Sequence, residues 1–274
     1  MMFQHNTPIE EYQIGKQTIY VKRDDLYGQD PAPHLAKLRG IKKYVDRMDR
    51  EEVEYLGDLD TRVSKSGWGL AAACQGTNIT PLVFYPQLKA ETELPFIQTK
   101  AYELGATIIP LKAGRTSVLY SQARRIVADK GGVMLPMGLT LEETTEEVAK
   151  VINDMPRELL EGTIVVTTGT GTITAGIIKG LTQNNITPKK LYAVSCGMSI
   201  DKQAKVIGRL QSPYMNVNLP KYLQMVLPAM DYYDKCETDV PFPCNQYYDA
   251  KAWLFLKRFI YGMKGNILFW NIGD

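Results

Sequence analysis

The sequence predicts an α/β fold of two lobes, each an open, mostly parallel sheet flanked by helices. Short apolar strands alternate with helical segments along the chain, which is typical of parallel sheets covered on both faces. The 274 residues and a hydrophobic content of 45% suit one large domain or two modest ones. Segment 51–141 repeats the strand–helix unit, so we predict a smaller lobe there, inserted into a large lobe formed by 1–50 and 142–274.

The first half of the chain begins with a predicted strand over 18–26 that runs into a loop. Apolar residues at Leu35, Leu38, Ile41 and Val45 follow a helical period, so we predict a helix over 35–48. Small residues over 69–76 indicate a closely packed helix. Similar patterns predict strands at 54–59, 81–86 and 107–112, and helices at 95–105 and 115–132 that each end at glycine.

The second half continues the alternation of strands and helices. Thr140 stands three residues before Glu143, a capping-box pattern that predicts the start of a helix over 140–159. The remaining predicted elements are strands at 163–169, 190–197 and 266–274, and helices at 172–184 and 247–262. Ligands of such sheets lie at the carboxyl ends of the strands, so we expect the functional loops at those ends.

Composition excludes several classes of function. The formal net charge of +2 gives no strong case for binding nucleic acid or an anionic membrane. No apolar run approaches the roughly 20 residues that a membrane span needs, and the N-terminus does not resemble a signal peptide. The four cysteines form no CxxC pair, which predicts reduced thiols in a cytoplasmic protein.

Histidine is scarce, which limits the chemistry further. Because His5 and His34 are the only histidines, the sequence argues against a multi-histidine zinc site, and we predict no metal. A GxSxG nucleophile motif is also absent. Proton transfer, if any, must then fall to lysine, tyrosine, serine or acidic residues.

The stretch VVTTGTGTITAG, from Val165 to Gly176, has the pattern of a strand, a glycine-rich turn and a helix start. Such a turn can hold an anion on backbone N–H groups at the positive end of the helix. No lysine follows as in a P-loop, and the third glycine of a dinucleotide fingerprint is missing. A single phosphate monoester, such as that of pyridoxal phosphate, and a tight turn without ligand remain open.

Several segments resemble the tryptophan-synthase-β-like (fold type II) pyridoxal phosphate enzymes. The branch of 1-aminocyclopropane-1-carboxylate (ACC) deaminase and D-cysteine desulfhydrase is the most similar. IYVKRDDLYG and LAKLRGIKKY resemble its pattern KRDDL…GGNKxRKLEY, and VVTTGTGTITAG resembles its phosphate loop GSGGTxAG. YYDAKA and NILFWNIGD resemble its late segments VYxGKA and NVLFIHTGG, in the same order along the chain. The resemblance implies pyridoxal 5'-phosphate as cofactor, an active site between the lobes and a homodimer.

The resemblance also assigns roles to single residues. Lys37 falls on the Schiff-base lysine, and Gly169, Thr170, Gly171 and Thr172 fall on the phosphate loop. Relatives carry glycine where this chain has Thr172, so the phosphate cradle is altered. Helical spacing puts Lys37 near the buried stripe of its helix, whereas the alternative is an ordinary exposed helix lysine.

Two neighbouring residues complete the implied catalytic centre. Tyr248 matches a family tyrosine near the substrate, and Asp249 matches the acidic residue beside the pyridine nitrogen. A carboxylate at that nitrogen keeps it protonated and strengthens the ring as an electron sink. On local pattern alone, both residues would be read as ordinary residues at the start of a helix.

The stretch SKSGWG falls on the family's loop for the substrate carboxylate. The resemblance implies that Ser64, Ser66, Gly67 and Trp68 bind the substrate. The family asparagine that contacts the pyridine 3'-oxygen is missing, and Gly67 or Trp68 takes its place. This departure puts the type of reaction in doubt more than it does the binding of the cofactor.

Three functions remain open from the sequence. The first is a pyridoxal phosphate-dependent lyase or deaminase that acts on a small amino acid through Lys37. The second is a β-replacement synthase similar to cysteine synthase or tryptophan synthase. The third is a degenerate relative that binds the cofactor, or another phosphate ligand, without turnover.

Overall fold

The computed structural model describes residues 2–197, 199–211 and 219–274. These residues form two β-sheets with their flanking helices. The larger sheet has the strand order β1-β2-β10-β7-β8-β9, and the smaller has the order β5-β4-β3-β6. The strands are β1 Ile9–Ile14, β2 Gln17–Arg23, β3 Tyr55–Leu59, β4 Thr80–Gln87, β5 Thr107–Lys112, β6 Val133–Met134, β7 Thr163–Thr168, β8 Lys190–Ser195, β9 Leu223–Val226 and β10 Ile267–Asn271.

Helices connect these strands. They are α1 Leu38–Arg50, α2 Ser66–Ala73, α3 Phe96–Glu103, α4 Thr116–Asp129, α5 Glu142–Asn153, α6 Arg157–Leu160, α7 Thr172–Gln183, α8 Ile200–Gln211 and α9 Asp249–Phe259. Short 3-10 turns follow β2 and α9. No helix in the described part of the chain combines the length and the apolar character needed to cross a membrane.

Strand directions confirm the predicted fold class. Every pairing within the smaller sheet is parallel, and so is every pairing of the larger sheet except that of β1 with β2. The division into lobes at 50 and 142 stays a prediction. The strands of the smaller sheet all come from 55–134, inside the segment predicted as the inserted lobe.

The central strands of the larger sheet are buried on both faces. Alternate residues of β7 point to opposite sides, so Ile164 and Val166 pack with α5 and α7, whereas Val165 packs with α9. A Cβ added to Gly176 would lie 2.6 Å from Val148, and one added to Gly180 would lie 2.7 Å from a main-chain oxygen of α5. These glycines therefore let α7 approach α5 closely and hold the start of α7 in place.

Two local predictions need correction. The predicted capping box at Thr140 is absent, since α5 begins at Glu142 after Leu141 and has no side-chain cap. Thr140 instead accepts a hydrogen bond from Arg209, and Glu143 forms an ion pair with Arg47. Strand β1 was not predicted, because it is a partly exposed edge strand with many polar residues.

Candidate active site

A cavity of about 460 Å³ lies between the two sheets, at the carboxyl ends of their strands. This is where open parallel sheets bind ligands. Its walls come from residues that follow β3 in the smaller sheet and β7, β8 and β10 in the larger one, together with residues just before α1 and at the start of α9. They include the predicted residues Lys37, Ser64, Ser66, Gly169, Thr170, Gly171, Thr172, Tyr248 and Asp249.

Lys37 immediately precedes α1 and points its amine into this cavity. Its Nζ donates to the main-chain oxygen of Gly138 at 2.7 Å and to Oγ1 of Thr170 at 3.1 Å. Burial lowers the pKa of Lys37 to about 8, although attraction to Cys196 and Asp58 opposes the shift. A larger fraction of this amine is therefore neutral, and able to act as a nucleophile, than of an ordinary lysine.

The glycine-rich loop joins β7 to α7 beside Lys37. Gly171 precedes α7 with φ of 104°, a conformation that side-chain-bearing residues rarely adopt. The free N–H groups of the first turn of α7 make an anion site. The hydroxyls of Thr170 and Thr172, which lie 2.9 Å apart, are further polar groups of this site. Thr172 itself is buried, with its hydroxyl 3.5 Å from the main-chain oxygen of Leu139.

Gln203 of α8 supports this loop from behind. Its Nε2 donates to the main-chain oxygens of Thr168 and Gly169 and to Oγ of Ser195, all within 2.9 Å. The side chain is fully buried. Gln203 therefore fixes the end of β7 where the loop begins. Sequence reasoning missed it because nothing in the local pattern of α8 indicates a contact with a distant loop.

Asp249 begins α9 and is fully buried at the cavity wall. Its Oδ1 accepts a hydrogen bond from the main-chain N–H of Ile272 at 3.1 Å. Among the described residues, its Oδ2 has no hydrogen-bond partner. Burial raises the pKa of Asp249 well above 3.8, and the site is therefore well suited to receive a cationic donor.

Tyr248 lies next to Asp249 and forms a hydroxyl pair with Tyr232. Burial, with Tyr232 nearby, raises the pKa of Tyr248 well above 10, so its hydroxyl stays protonated at neutral pH. Lys251 positions the other member of the pair by donating to the main-chain oxygen of Asp231 at 2.5 Å. No pattern in the sequence indicates Tyr232, which comes from a segment without regular structure.

The loop predicted to bind a substrate carboxylate already holds a carboxylate of the chain. Oδ1 of Asp60 accepts hydrogen bonds from Oγ of Ser66 at 2.6 Å and from the N–H of Gly67 at 2.9 Å. Oδ2 of Asp60 accepts from Gln98 at 3.1 Å. Ser64 donates to Ser66, so its hydroxyl belongs to the same network. The Ser66 hydroxyl and the N–H groups of Ser66 and Gly67 are thus satisfied within the chain.

Trp68 packs away from the cavity. Its indole N–H donates to the main-chain oxygen of Pro31 at 2.8 Å, and its ring meets Phe96 edge to face. Neither Gly67 nor Trp68 is among the residues that line the cavity, whereas Ser64 and Ser66 are. The catalytic, cofactor-binding and substrate-binding roles assigned from the sequence stay predictions.

A search of protein-family models gives no match to this chain. A curated relative, the glycyl-dTMP PLP-dependent decarboxylase of Pseudomonas phage M6, is 30% identical over 283 residues. The match covers 100% of this chain and 100% of the relative. This chain belongs to the pyridoxal phosphate-dependent enzymes. Its fold is that of the fold type II branch, as the resemblance implied, and its cofactor is pyridoxal phosphate.

Solved structures of fold type II enzymes have the same fold. An ACC deaminase homologue superposes with a TM-score of 0.79 at 18% identity, over 100% of this chain and 90% of that one. A hydrogen sulfide-producing enzyme of Fusobacterium nucleatum gives 0.70 at 16% identity, over 98% and 95% of the two chains. Threonine deaminase isoform 2 of Solanum lycopersicum gives 0.68 at 15% identity, over 97% and 78%. At these identities the similarity shows the fold alone.

The cavity of this pyridoxal phosphate-dependent enzyme fits the cofactor on the geometry of its own residues. Lys37 supplies a desolvated amine, and the start of α7 supplies a site for a phosphate. The unpartnered Oδ2 of Asp249 is a buried acceptor of the kind that a protonated pyridine nitrogen requires. All of them line one cavity.

The lowered pKa of Lys37 predicts how the apoenzyme captures its cofactor. Covalent capture needs the neutral amine, so its rate should rise with pH, with a midpoint near the Lys37 pKa of about 8. An unperturbed lysine would give a midpoint near 10.5. Stopped-flow absorbance of apoenzyme mixed with pyridoxal phosphate measures this profile. A rate that keeps rising steeply beyond pH 10 would contradict the assignment.

Two glycines of the phosphate loop should respond differently to alanine. A Cβ on Gly171 would lie 2.9 Å from Ile207 in a backbone conformation that disfavours side chains, whereas one on Gly169 would meet only Cys196, at 3.6 Å. We expect Gly171→Ala to cost about 1–3 kcal/mol in stability and to weaken cofactor binding. Gly169→Ala is the matched control for stability and should change stability little. Thermal unfolding and cofactor titration measure the difference; equal effects would contradict it.

Proposed function

We propose that this enzyme is a decarboxylase that removes the carboxylate of an amino-acid group carried on a nucleotide. The observation that supports this proposal is the pair of hydrogen bonds that Asp60 accepts from Ser66 and Gly67. These donors are where a retained substrate carboxylate would be anchored. The name of the phage relative gives the same type of reaction and a glycyl-nucleotide substrate for that protein.

These contacts of Asp60 favour decarboxylation because of what happens to the substrate carboxylate in each type of reaction. In deamination and β-replacement it stays on the product, and firm anchoring helps to orient the substrate. In decarboxylation it loses its charge and leaves as CO₂. Interactions that stabilise the charged carboxylate more than the transition state slow such a reaction. A site whose carboxylate donors are satisfied by Asp60 avoids that penalty.

The reaction breaks the bond between the α-carbon and its carboxylate and releases CO₂, and a proton takes the vacant position. The bound cofactor supplies a conjugated cationic ring that accepts the electron pair of the broken bond. Asp249 would keep the ring nitrogen protonated through Oδ2. Lys37 Nζ and the Tyr248 hydroxyl line the cavity, and both are candidate proton donors to the α-carbon.

This proposal refines the function predicted from the sequence. Decarboxylation is a lyase reaction, so it keeps the predicted class and replaces deamination of a small amino acid. Deamination remains the second candidate because the protonated Tyr248–Tyr232 pair could donate to a departing group. Binding without turnover is a further outcome of the test, and β-replacement is tested by adding a second nucleophile to the same assay. The predicted homodimer and cytoplasmic location stay predictions.

The test is product analysis of the purified holoenzyme. Glycyl-dTMP, free glycine, ACC and D-cysteine are supplied separately. We expect CO₂ and the corresponding amine from the nucleotide substrate, detected by carboxyl-labelled substrate and mass spectrometry. Ammonia with a 2-oxo acid would favour the deaminase instead. Cofactor bound without any product would overturn both.

Removing Asp60 should open the site to free carboxylates. In Asp60→Ala, the Ser66 hydroxyl and the Gly67 N–H lose their acceptor, so small carboxylates such as acetate can bind there. Hydrogen bonds to charged groups contribute about 1.5–3 kcal/mol, so we expect acetate to inhibit the variant about tenfold more strongly. Steady-state inhibition measures this. The conservative Asp60→Asn variant, which keeps an acceptor oxygen, should change it less; equal inhibition in wild type and Asp60→Ala would contradict the prediction.

A further inference from the structure

The cavity contains charged groups that the cofactor does not use. Lys37 and Asp249 are assigned to the cofactor. Among the described residues that line the cavity, the other charged or titratable acid and base side chains, tyrosine and cysteine aside, are His34, Lys65 and Asp274. These three side chains are therefore the further candidates in the cavity wall for pairing with a charged group of a substrate.

The three side chains form one compact cluster. Oδ1 of Asp274 lies 2.9 Å from Nζ of Lys65, and Oδ2 lies 2.6 Å from Nδ1 of His34. The main-chain oxygen of Asp274 accepts from Lys65 at 2.5 Å and from Asn245 at 3.1 Å. Each oxygen of the Asp274 carboxylate thus has its own basic partner, an arrangement that would also suit two oxygens of a phosphate.

Asp274 favours the charged form of the His34 imidazole. The hydrogen bond to Asp274 raises the pKa of His34. Burial alone would raise the pKa of Asp274, but hydrogen bonds from His34 and Lys65 outweigh it and lower that pKa to about 2. If Asp274 moves away, the Lys65 amine and the His34 imidazole face the cavity without their anionic partner. A substrate anion that takes its place would again favour the charged form of His34.

We propose that Lys65 and His34 bind the phosphate of a nucleotide-linked substrate, and that Asp274 occupies this subsite until the substrate displaces it. The proposal rests on the proposed decarboxylation of a nucleotide-linked amino acid. The reacting carboxylate is a poorer occupant, because an ion pair there would stabilise the charge that the reaction must remove. The side chains of Lys65, His34 and Asp274 are between 20% and 27% exposed, so exchange needs no unfolding.

The subsite is separate from the phosphate loop of the cofactor. Ile272, two residues before Asp274, donates its N–H to Asp249 at 3.1 Å. The subsite therefore adjoins the end of the cavity where Asp249 would meet the pyridine nitrogen, and a substrate phosphate need not compete with the cofactor phosphate at α7. Holoenzyme is consequently the right form of the protein for testing it.

Binding to the holoenzyme, measured by calorimetry without turnover, tests the subsite. The probes are dTMP, thymidine and a short oligothymidylate, which separates a free nucleotide from nucleic acid as the source of the phosphate. We expect dTMP to bind more tightly than thymidine. Lys65→Met should weaken dTMP binding about tenfold, as expected for loss of a charge-assisted hydrogen bond, and leave thymidine unchanged. Asp274→Asn should tighten dTMP binding severalfold.

A matched control and a second readout keep the result interpretable. Lys100 lies 5.7 Å from the ring of Phe96, as Lys65 does from the ring of Trp68, but it is not among the cavity-lining residues. Lys100→Met should leave dTMP binding unchanged. NMR titration should show a lower His34 pKa in Asp274→Asn, restored towards the wild-type value by dTMP.

The outcomes separate this proposal from the proposed function. Equal binding of dTMP to wild type and Lys65→Met, or equal binding of dTMP and thymidine, would overturn the subsite even if the enzyme releases CO₂. Conversely, Lys65-dependent binding of dTMP in an enzyme that releases ammonia and no CO₂ would support the subsite and overturn the decarboxylase.

Discussion

Replacement of Lys37 by alanine is expected to lower the rate of product formation by about 10²–10⁴-fold, the range that a positioned proton-transfer group contributes. Lys37 is the lysine whose amine lies next to Thr170 of the phosphate loop, and its lowered pKa suits both cofactor capture and proton transfer. The variant loses both functions. Its fold should persist, because the side chain that is removed beyond Cβ borders the cavity, and Ala36 and Leu38 keep their burial in the core.

The decisive measurement for Lys37 is covalent trapping rather than activity alone. Borohydride reduction of the wild-type holoenzyme should fix the cofactor mass on the peptide that contains Lys37. Lys43→Ala is the matched control, since Lys43 lies on the same helix and is exposed. We expect it to keep trapping and turnover. Trapping on another lysine, or full activity of Lys37→Ala, would refute the assignment.

Asp249→Asn is expected to lower turnover by about 10²–10³-fold, comparable to the loss of one positioned electrostatic group. Asparagine keeps the acceptor for the Ile272 N–H but turns a donor towards the ring nitrogen. The nitrogen then loses the partner that keeps it protonated, and the ring becomes a weaker electron sink. The absorbance spectrum of the bound cofactor and its pH dependence should both change, which a purely structural role would not produce.

Thermal unfolding provides a second test of Asp249. Its folded-state pKa is raised above 3.8, so the native state binds this proton more tightly than the unfolded chain does. Stability of the apoenzyme should therefore fall as the pH rises above about 4 towards the raised pKa. Apo Asp249→Asn should melt higher than apo wild type at pH 7, and the gap should narrow towards pH 4. Pyridoxal phosphate should stabilise wild type more than the variant; the reverse order would contradict the role.

Features set by a short stretch of sequence could be predicted. The glycine-rich turn before α7 is formed by residues that are adjacent in the sequence. The end of β7, the positive φ of Gly171 and the start of α7 follow one another within a few residues. The buried strands β7 and β10 follow from their apolar runs. Lys37 and Asp249 each begin or precede a helix, where the resemblance to known enzymes could be read residue by residue.

Features that depend on distant contacts could not be predicted. Gln203 supports the loop before α7 across 34 and 35 residues of sequence, and Lys65 meets Asp274 across 209. The occupation of the α2 start by Asp60 depends on how the end of β3 turns, which no periodicity encodes. For the same reason Trp68, which with Gly67 stands where the resemblance implied a contact with the cofactor, turns instead to Pro31.

Asp60 also affects which molecules can compete for the site. A carboxylate fixed to the chain within hydrogen-bond distance of its donors acts at an effective concentration of at least the millimolar range. A free acid or amino acid at lower concentration cannot displace it from Ser66 and Gly67. Under the proposed function, this gives the enzyme tolerance of free organic acids and amino acids, and selection of a substrate shifts to groups beyond the α-carboxylate.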